Sequence, residues 1–152
     1  MDAPNLEYLF SYSADIDEPQ QGVGGGPFGF RMIALVTGGW VKGPRMNGEV
    51  LPGGGDWALV DGDALRLDAR ITIKTDDEAL IYLSYRGVIT PIDAETIAKS
   101  MAGTLEPGEL YYRTTPIMET GDERYAWLNT TVAVAVGRIE ATGVSYDVFG
   151  VN

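Results

Sequence analysis

Residues 64–75 read ALRLDARITIKT. Leu65, Leu67, Ala69, Ile71 and Ile73 fall on one face of an extended chain, and Arg66, Asp68, Arg70, Thr72 and Lys74 on the other. Successive side chains of a strand point to opposite sides, so this segment reads as a β-strand with one apolar and one charged face. The simpler reading turns the charged face to solvent. A second reading places Asp68 and Arg70 inside a closed barrel, where neighbouring groups must satisfy them.

The same texture continues in both directions. LEYLFSYSADI (6–16), RMIALVTG (31–38), ALIYLSYRGV (79–88), ELYYRTTPIM (109–118), RYAWLNTTVAVAVGRI (124–139) and GVSYDVFGV (143–151) read as strands, with NGEV (47–50) and DWALV (56–60) as shorter ones. In the first of these Leu6, Tyr8, Phe10, Tyr12, Ala14 and Ile16 share a face, and only Leu9 breaks the alternation. DAETIAKSMAG (93–103) is the exception. Asp93 is placed to cap a short helix, Ile97 and Met101 lie four apart on one face, and Gly103 supplies a stop.

The chain thus reads as a single all-β domain over 1–152, with about eight or nine strands and one helical insertion. Closing an antiparallel sheet removes its exposed edges, and about eight strands enclose room for side chains or one small ligand. The expected fold is therefore a closed antiparallel β-barrel of about eight strands.

Charge and composition narrow the chemistry. A formal net charge of −11 repels polyanions, which argues against nucleic acid as a partner. No stretch approaches the roughly 20 apolar residues of a membrane-spanning helix, and the N-terminal MDAPNLEYLF lacks a basic segment leading into an apolar core. The expectation is a soluble, cytoplasmic protein without a membrane partner. Cysteine and histidine are absent, which leaves carboxylates, Tyr, Lys, Arg, amides and hydroxyls to carry any chemistry. No metal site is expected, since Asp61-Gly62-Asp63 lacks the other ligands of a calcium loop. No cofactor is expected either. Gly24, Gly26 and Gly29 spell G-x-G-x-x-G, but Pro27 lies inside the match and a strand-like run follows where a helix is required. The loop LPGGGDW (51–57) has no Lys-Ser/Thr after it and is not a phosphate loop. Asn129-Thr130-Thr131 matches a glycosylation sequon by spelling only, inside a strand-like run.

The succession GPRMNGEVLPGGGDW (43–57), LDARITIKTDDEALIYL (67–83), YYRTTPIMET (111–120) and YAWLNTTVAVAVG (125–137) resembles the family called domain of unknown function 3237. The resemblance implies a calycin-like closed barrel with a central cavity, similar in shape to allene oxide cyclase barrels. It implies cyclisation or isomerisation of a small hydrophobic molecule. Ile71 stands where that family usually has Tyr, Glu78 where it usually has Gly, and Ile117-Met118 where Arg-Phe is common. These departures are expected to make the walls more aliphatic.

Within the matched motifs Asp56, Asp68 and Glu119 are candidate acids or bases, because a carboxylate shielded from water has a raised pKa and moves protons. Arg70 is placed to stabilise an anionic intermediate, as is Arg113, and Tyr112 or Asn129 to donate to an oxyanion. Trp57 and Trp127 offer flat walls, and Asn47 opens the same glycine-rich stretch. The expected partner is a small-molecule ligand or substrate. Three readings stand open at this point. They are a cofactor-independent lyase, isomerase or cyclase working by proton transfer, a non-catalytic ligand-binding barrel, and a structural homodimer with a filled barrel.

Overall fold

A computed structural model describes residues 1–152. Ten antiparallel strands form it: β1 (Leu6–Ile16), β2 (Gln21–Gly26), β3 (Gly29–Lys42), β4 (Gly48–Val50), β5 (Gly55–Asp61), β6 (Ala64–Thr75), β7 (Leu80–Thr90), β8 (Tyr111–Glu119), β9 (Ala133–Ile139) and β10 (Gly143–Val151). The sheet closes on itself. Going round, β1 is followed by β10, β9, β8, β7 and β6, then by β4 and β5, and then by β3, which pairs back onto β1.

β4 and β5 both lie between β3 and β6, so they share one of eight positions in the ring. The glycine-rich stretch 51–54 is the break between them. It stays bonded on both sides, through Leu51 N–H to the Thr72 carbonyl and Gly53 N–H to the Val36 carbonyl. Gly54 fits because the chain there runs against β6, where a Cβ would stand 2.5 Å from the Arg70 carbonyl oxygen.

β2 was not expected from the sequence. QGVGGG (21–26) contains almost no strand-forming side chains. Its backbone pairs only with β3, continuing the line of β1 past the end of β10. The segment 124–132, expected as strand, is instead a 3-10 helix at Glu123–Thr130 followed by a short link to β9. Asp122 caps that helix by accepting the Arg124 N–H at 2.9 Å. The Tyr125 hydroxyl donates to Asp77 at 2.7 Å and pulls the segment across the barrel end.

Leu9 marks a β-bulge. The register against β10 shifts between Tyr8 and Phe10, so the face changes side there. Leu9, Phe10 and Tyr12 are buried, whereas Leu6 and Tyr8 are 58% and 43% exposed rather than sharing the inner face. The helix α1 (Ala94–Ala102) forms where expected. Asp93 accepts the Thr96 N–H at 2.8 Å and Gly103 ends the helix at φ 70°. Ser100 anchors it to β9, donating to the Ile139 carbonyl at 2.9 Å and accepting the Ile139 N–H at 3.1 Å. No helix is long and apolar enough to cross a membrane.

The two ends of the barrel differ. One is packed solid around Phe10, Met46, Ile73, Ile81, Leu83 and Leu128, all essentially without exposure. The other is open under α1, and a cavity of about 820 Å³ occupies it.

Candidate functional site

Inward-facing residues of β3, β5 and β6 make the cavity wall. Met32, Ala34, Ala58, Leu67, Ala69 and Ile71 all line it, and Ile97 and Met101 of α1 reach it from the open end. Small residues on adjacent strands leave the space that larger ones would fill. The charged face of β6 therefore points outward, as the simpler reading of its alternation has it.

Asp56 is the polar group in this apolar wall. Its Oδ1 accepts the Asp68 main-chain N–H at 2.9 Å, while the Trp57 carbonyl accepts from Arg31 Nη1 at 2.9 Å. The register of β5 on β6 is the same on both sides of this point, but Trp57 and Ala58 form no pair across to β6. The carboxylate thus takes a donor from the ladder itself. The cations on this wall are engaged elsewhere: Arg70 and Arg86 pair with Asp68, and Arg66 with Asp61. No Lys or Arg lines the cavity. Burial pushes the Asp56 carboxyl up to about 6, the Asp68 N–H opposes that rise, and the negative charge of Asp68 adds to it.

The cavity floor is built of phenols. Tyr85, Tyr112 and Tyr146 line it, and Tyr12 stacks behind Tyr146 with ring centroids 4.7 Å apart. The Tyr146 hydroxyl bonds the Tyr85 hydroxyl at 2.6 Å and also the Tyr112 hydroxyl. Burial holds all four phenols above their ordinary pKa, so each keeps its proton at neutral pH. Three linked hydroxyls carry three protons, and their two mutual bonds use two. One O–H is left to donate elsewhere, and the buried Tyr12 hydroxyl has no partner at all. The charge of Asp56, which lines the same cavity as Tyr85 and Tyr112, adds to the rise at Tyr12, Tyr85 and Tyr112. Gly137, opposite Tyr146 on β9, makes room for the ring of Tyr112. A Cβ there would stand 2.7 Å from three of its carbons.

Of the ten candidate residues, Asp56 and Tyr112 face the cavity. The others do not meet there. Asp68 is on the outer face of β6, 3.4 Å from Arg86 Nε and 3.9 Å from Arg70 Nη2, and Arg70 lies over the outward Trp57 ring at 5.7 Å. Glu119 borders a shallow outer depression with Leu80, Tyr82 and Asn129. Arg113 lies over Tyr111 at 5.2 Å and donates to the Tyr112 carbonyl. Trp127 is covered by Arg45 at 3.8 Å. Asn129 brackets Thr120, accepting its N–H and donating to its carbonyl, and Asn47 does the same to Gly43.

The motif residues outside the cavity hold turns and the outer wall. Ile71 does line the cavity, but Met118 belongs to the packed core and Ile117 faces outward at 69% exposure, so only the first of these makes the cavity wall more aliphatic. Tyr85 and Tyr146 were missed. Period-two alternation carries the signal for both, since Tyr85 shares a face with Ile81 and Leu83, and Tyr146 with Val144 and Val148.

The family described as "Protein of unknown function (DUF3237)" matches residues 4–151, and the chain belongs to it. A UPF0311 protein of Clostridium acetobutylicum is 34% identical over 131 residues, covering 86% of this chain and 83% of that one. Among solved structures, a β-barrel-like protein of Acinetobacter baumannii is 34% identical with a TM-score of 0.85, covering 100% of this chain and 98% of the other. A conserved protein of unknown function from Rhodopseudomonas palustris is 30% identical with a TM-score of 0.89, each chain covered in full.

Proposed function

We propose that this member of the DUF3237 family is a lyase, isomerase or cyclase that moves a proton on a small, partly apolar carbonyl substrate held in the barrel cavity. One observation carries the reading. Asp56 is a carboxylate in an apolar cavity, held by a main-chain N–H, with no cation paired to it. An acid merely stabilising the barrel would be neutralised by an arginine, as Asp68 is on the other side of the same wall.

The proposed step uses the groups of the wall and the floor. Asp56, ionised, takes a proton from the carbon next to the substrate carbonyl. The C–H electron pair becomes the C=C bond of an enolate, and the carbonyl oxygen takes the negative charge. The spare phenolic O–H of the floor donates to that oxygen. Protonated Asp56 then returns the proton to the same or a conjugated carbon, or the enolate carbon attacks a second carbonyl of the same molecule to close a ring, and the alkoxide formed there takes the proton back from Asp56. A base with a pKa near the working pH suits this exchange, because it both accepts and returns the proton. The chain's own groups complete the cycle.

A ligand-binding barrel without catalysis is the second reading, supported by the predominance of hydrophobic residues, 21 of 30, in the lining. One experiment separates the two. α-Tetralone, a bicyclic aryl ketone, is incubated with the protein in D₂O and exchange at C2 is followed by NMR. The proton-transfer reading predicts exchange about 100-fold above buffer, reduced to the buffer rate by Asp56→Asn. Saturable binding of α-tetralone with exchange at the buffer rate supports the carrier instead.

A further inference from the structure

The charged residues that line the cavity are all of one sign. Four carboxylates line it, Asp15, Glu18, Asp56 and Glu140, and not one Lys or Arg does. Three of them stand at the open end, where β1 finishes, where the chain crosses to β2, and where β9 turns into β10. Their bonding is neutral or weak. Asp15 Oδ1 accepts from Thr142 Oγ1 at 3.5 Å, and Glu18 Oε2 accepts the Gln20 N–H at 3.2 Å. Glu140 accepts from Ser145 Oγ at 2.6 Å and lies 3.9 Å from Arg138 Nε. That guanidinium is already committed to Asp147, with bonds of 2.8 and 3.3 Å.

A guest entering the barrel therefore passes two carboxylates without cationic partners and reaches a third at Asp56. Low-dielectric walls focus such a field into the cavity, and nothing in the lining reverses its sign. We propose that the cavity selects its guest by charge, taking a neutral or amine-bearing apolar molecule with its basic nitrogen at the mouth, and turning away carboxylates and phosphates. This rests on the reading of the cavity as the substrate site and adds the class of molecule that it admits. A protonated amine at the mouth would meet Asp15 and Glu18 while its apolar body lay along Met32, Leu67 and Ile71. An anion would have to give up its hydration against the like charge of the mouth and of Asp56.

Three probes with one apolar body test this: 2-(2-naphthyl)ethylamine, 2-(2-naphthyl)ethanol and 2-naphthylacetate, titrated calorimetrically at low and high salt. The expected order is amine, alcohol, acetate, with about 100-fold between the first and last at low ionic strength and about tenfold at 0.5 M salt, because exposed mouth charges are screened. The triple variant Asp15→Asn, Glu18→Gln, Glu140→Gln is expected to narrow the amine-to-acetate ratio at least tenfold. Equal affinities, tightest binding by the acetate, a ratio unchanged by the triple variant, or no binding by any probe would each overturn the proposal. The outcomes also separate it from the proton-transfer reading. Asp56-dependent exchange on α-tetralone together with tight acetate binding refutes charge selection alone. The expected order with no exchange above buffer refutes proton transfer alone.

Discussion

The Asp56 carboxylate accepts the main-chain N–H of Asp68 at 2.9 Å, while the Asp68 carboxylate points through the other side of the wall to Arg86, 3.4 Å away. One strand pair thus holds two acids in opposite environments. Asp56 meets an apolar cavity and titrates high, whereas Asp68 meets guanidinium groups and solvent. Two carboxylates from separate motifs, brought together by the pairing of β5 with β6, are separated in role by the period of the strand alone.

Asp68→Asn and Glu119→Gln are expected to leave exchange on α-tetralone within about threefold of the parent, since neither side chain reaches the cavity and exposed ion pairs contribute little. NMR exchange rates for the two variants check this. A loss of 100-fold in either would move the reaction to the outer face of the barrel.

Asp56→Asn is expected to stabilise the protein at neutral pH. The folded-state pKa of Asp56 is raised to about 6, so the folded chain holds this proton more tightly than the unfolded one. Its contribution to stability is fully present below the unfolded pKa of about 4 and is lost as pH rises through 6. The neutral amide avoids that loss and still accepts the Asp68 N–H. Chemical denaturation should show a gain on the order of 2 kcal/mol at pH 7.5 that disappears by pH 4. A variant less stable than the parent at pH 7.5 would contradict the assigned burial.

Tyr146→Phe removes the hydroxyl that links Tyr85 and Tyr112. Both remaining phenols lose a partner in a buried site, at a cost of about 1–3 kcal/mol. Exchange should fall about tenfold to 100-fold, in kcat more than in KM, because the O–H that donates to the developing oxyanion loses the linked hydroxyls that orient and polarise it. A change confined to KM would make the phenols a binding surface only.

Glu78 is the one residue other than glycine with positive φ, at 74°, and it stands where the resembled family usually has Gly. Its partner Lys74 is 2.9 Å away in an exposed pair. Glu78→Gly should raise stability by about 0.5–1 kcal/mol, the relief of the left-handed backbone exceeding the lost surface pair. A shift in denaturation midpoint measures it. A lower midpoint would show that the pair dominates.

The barrel was legible where side chains alternate. Residues 64–75 reveal β6 and its inner face because one period-two pattern persists for the whole strand. β2 was not legible, since its glycines carry no pattern and only pairing with β3 defines it. The segment from Tyr125 to Asn129 reads as strand by composition, yet the Asp122 cap and the Tyr125–Asp77 bond fold it into a 3-10 helix. Neither partner is visible in local propensity. At the site, Asp56 and Tyr112 are legible in the sequence, and Tyr85 and Tyr146 are not. Arginines and acids in a motif attract attention, but here they stabilise the outside. The phenols that share the cavity with Asp56 sit in the strands as ordinary β-formers, and closure of the sheet brings Tyr85, Tyr112 and Tyr146 together.

The most direct measurement is the pH dependence of deuterium exchange at C2 of α-tetralone. The rate is expected to rise with pH and level off above an apparent pKa near 6, the value to which burial pushes Asp56, and the profile to collapse to the buffer rate in Asp56→Asn. A profile that is flat across this range, or one that Asp56→Asn leaves in place, would contradict the proton-transfer reading.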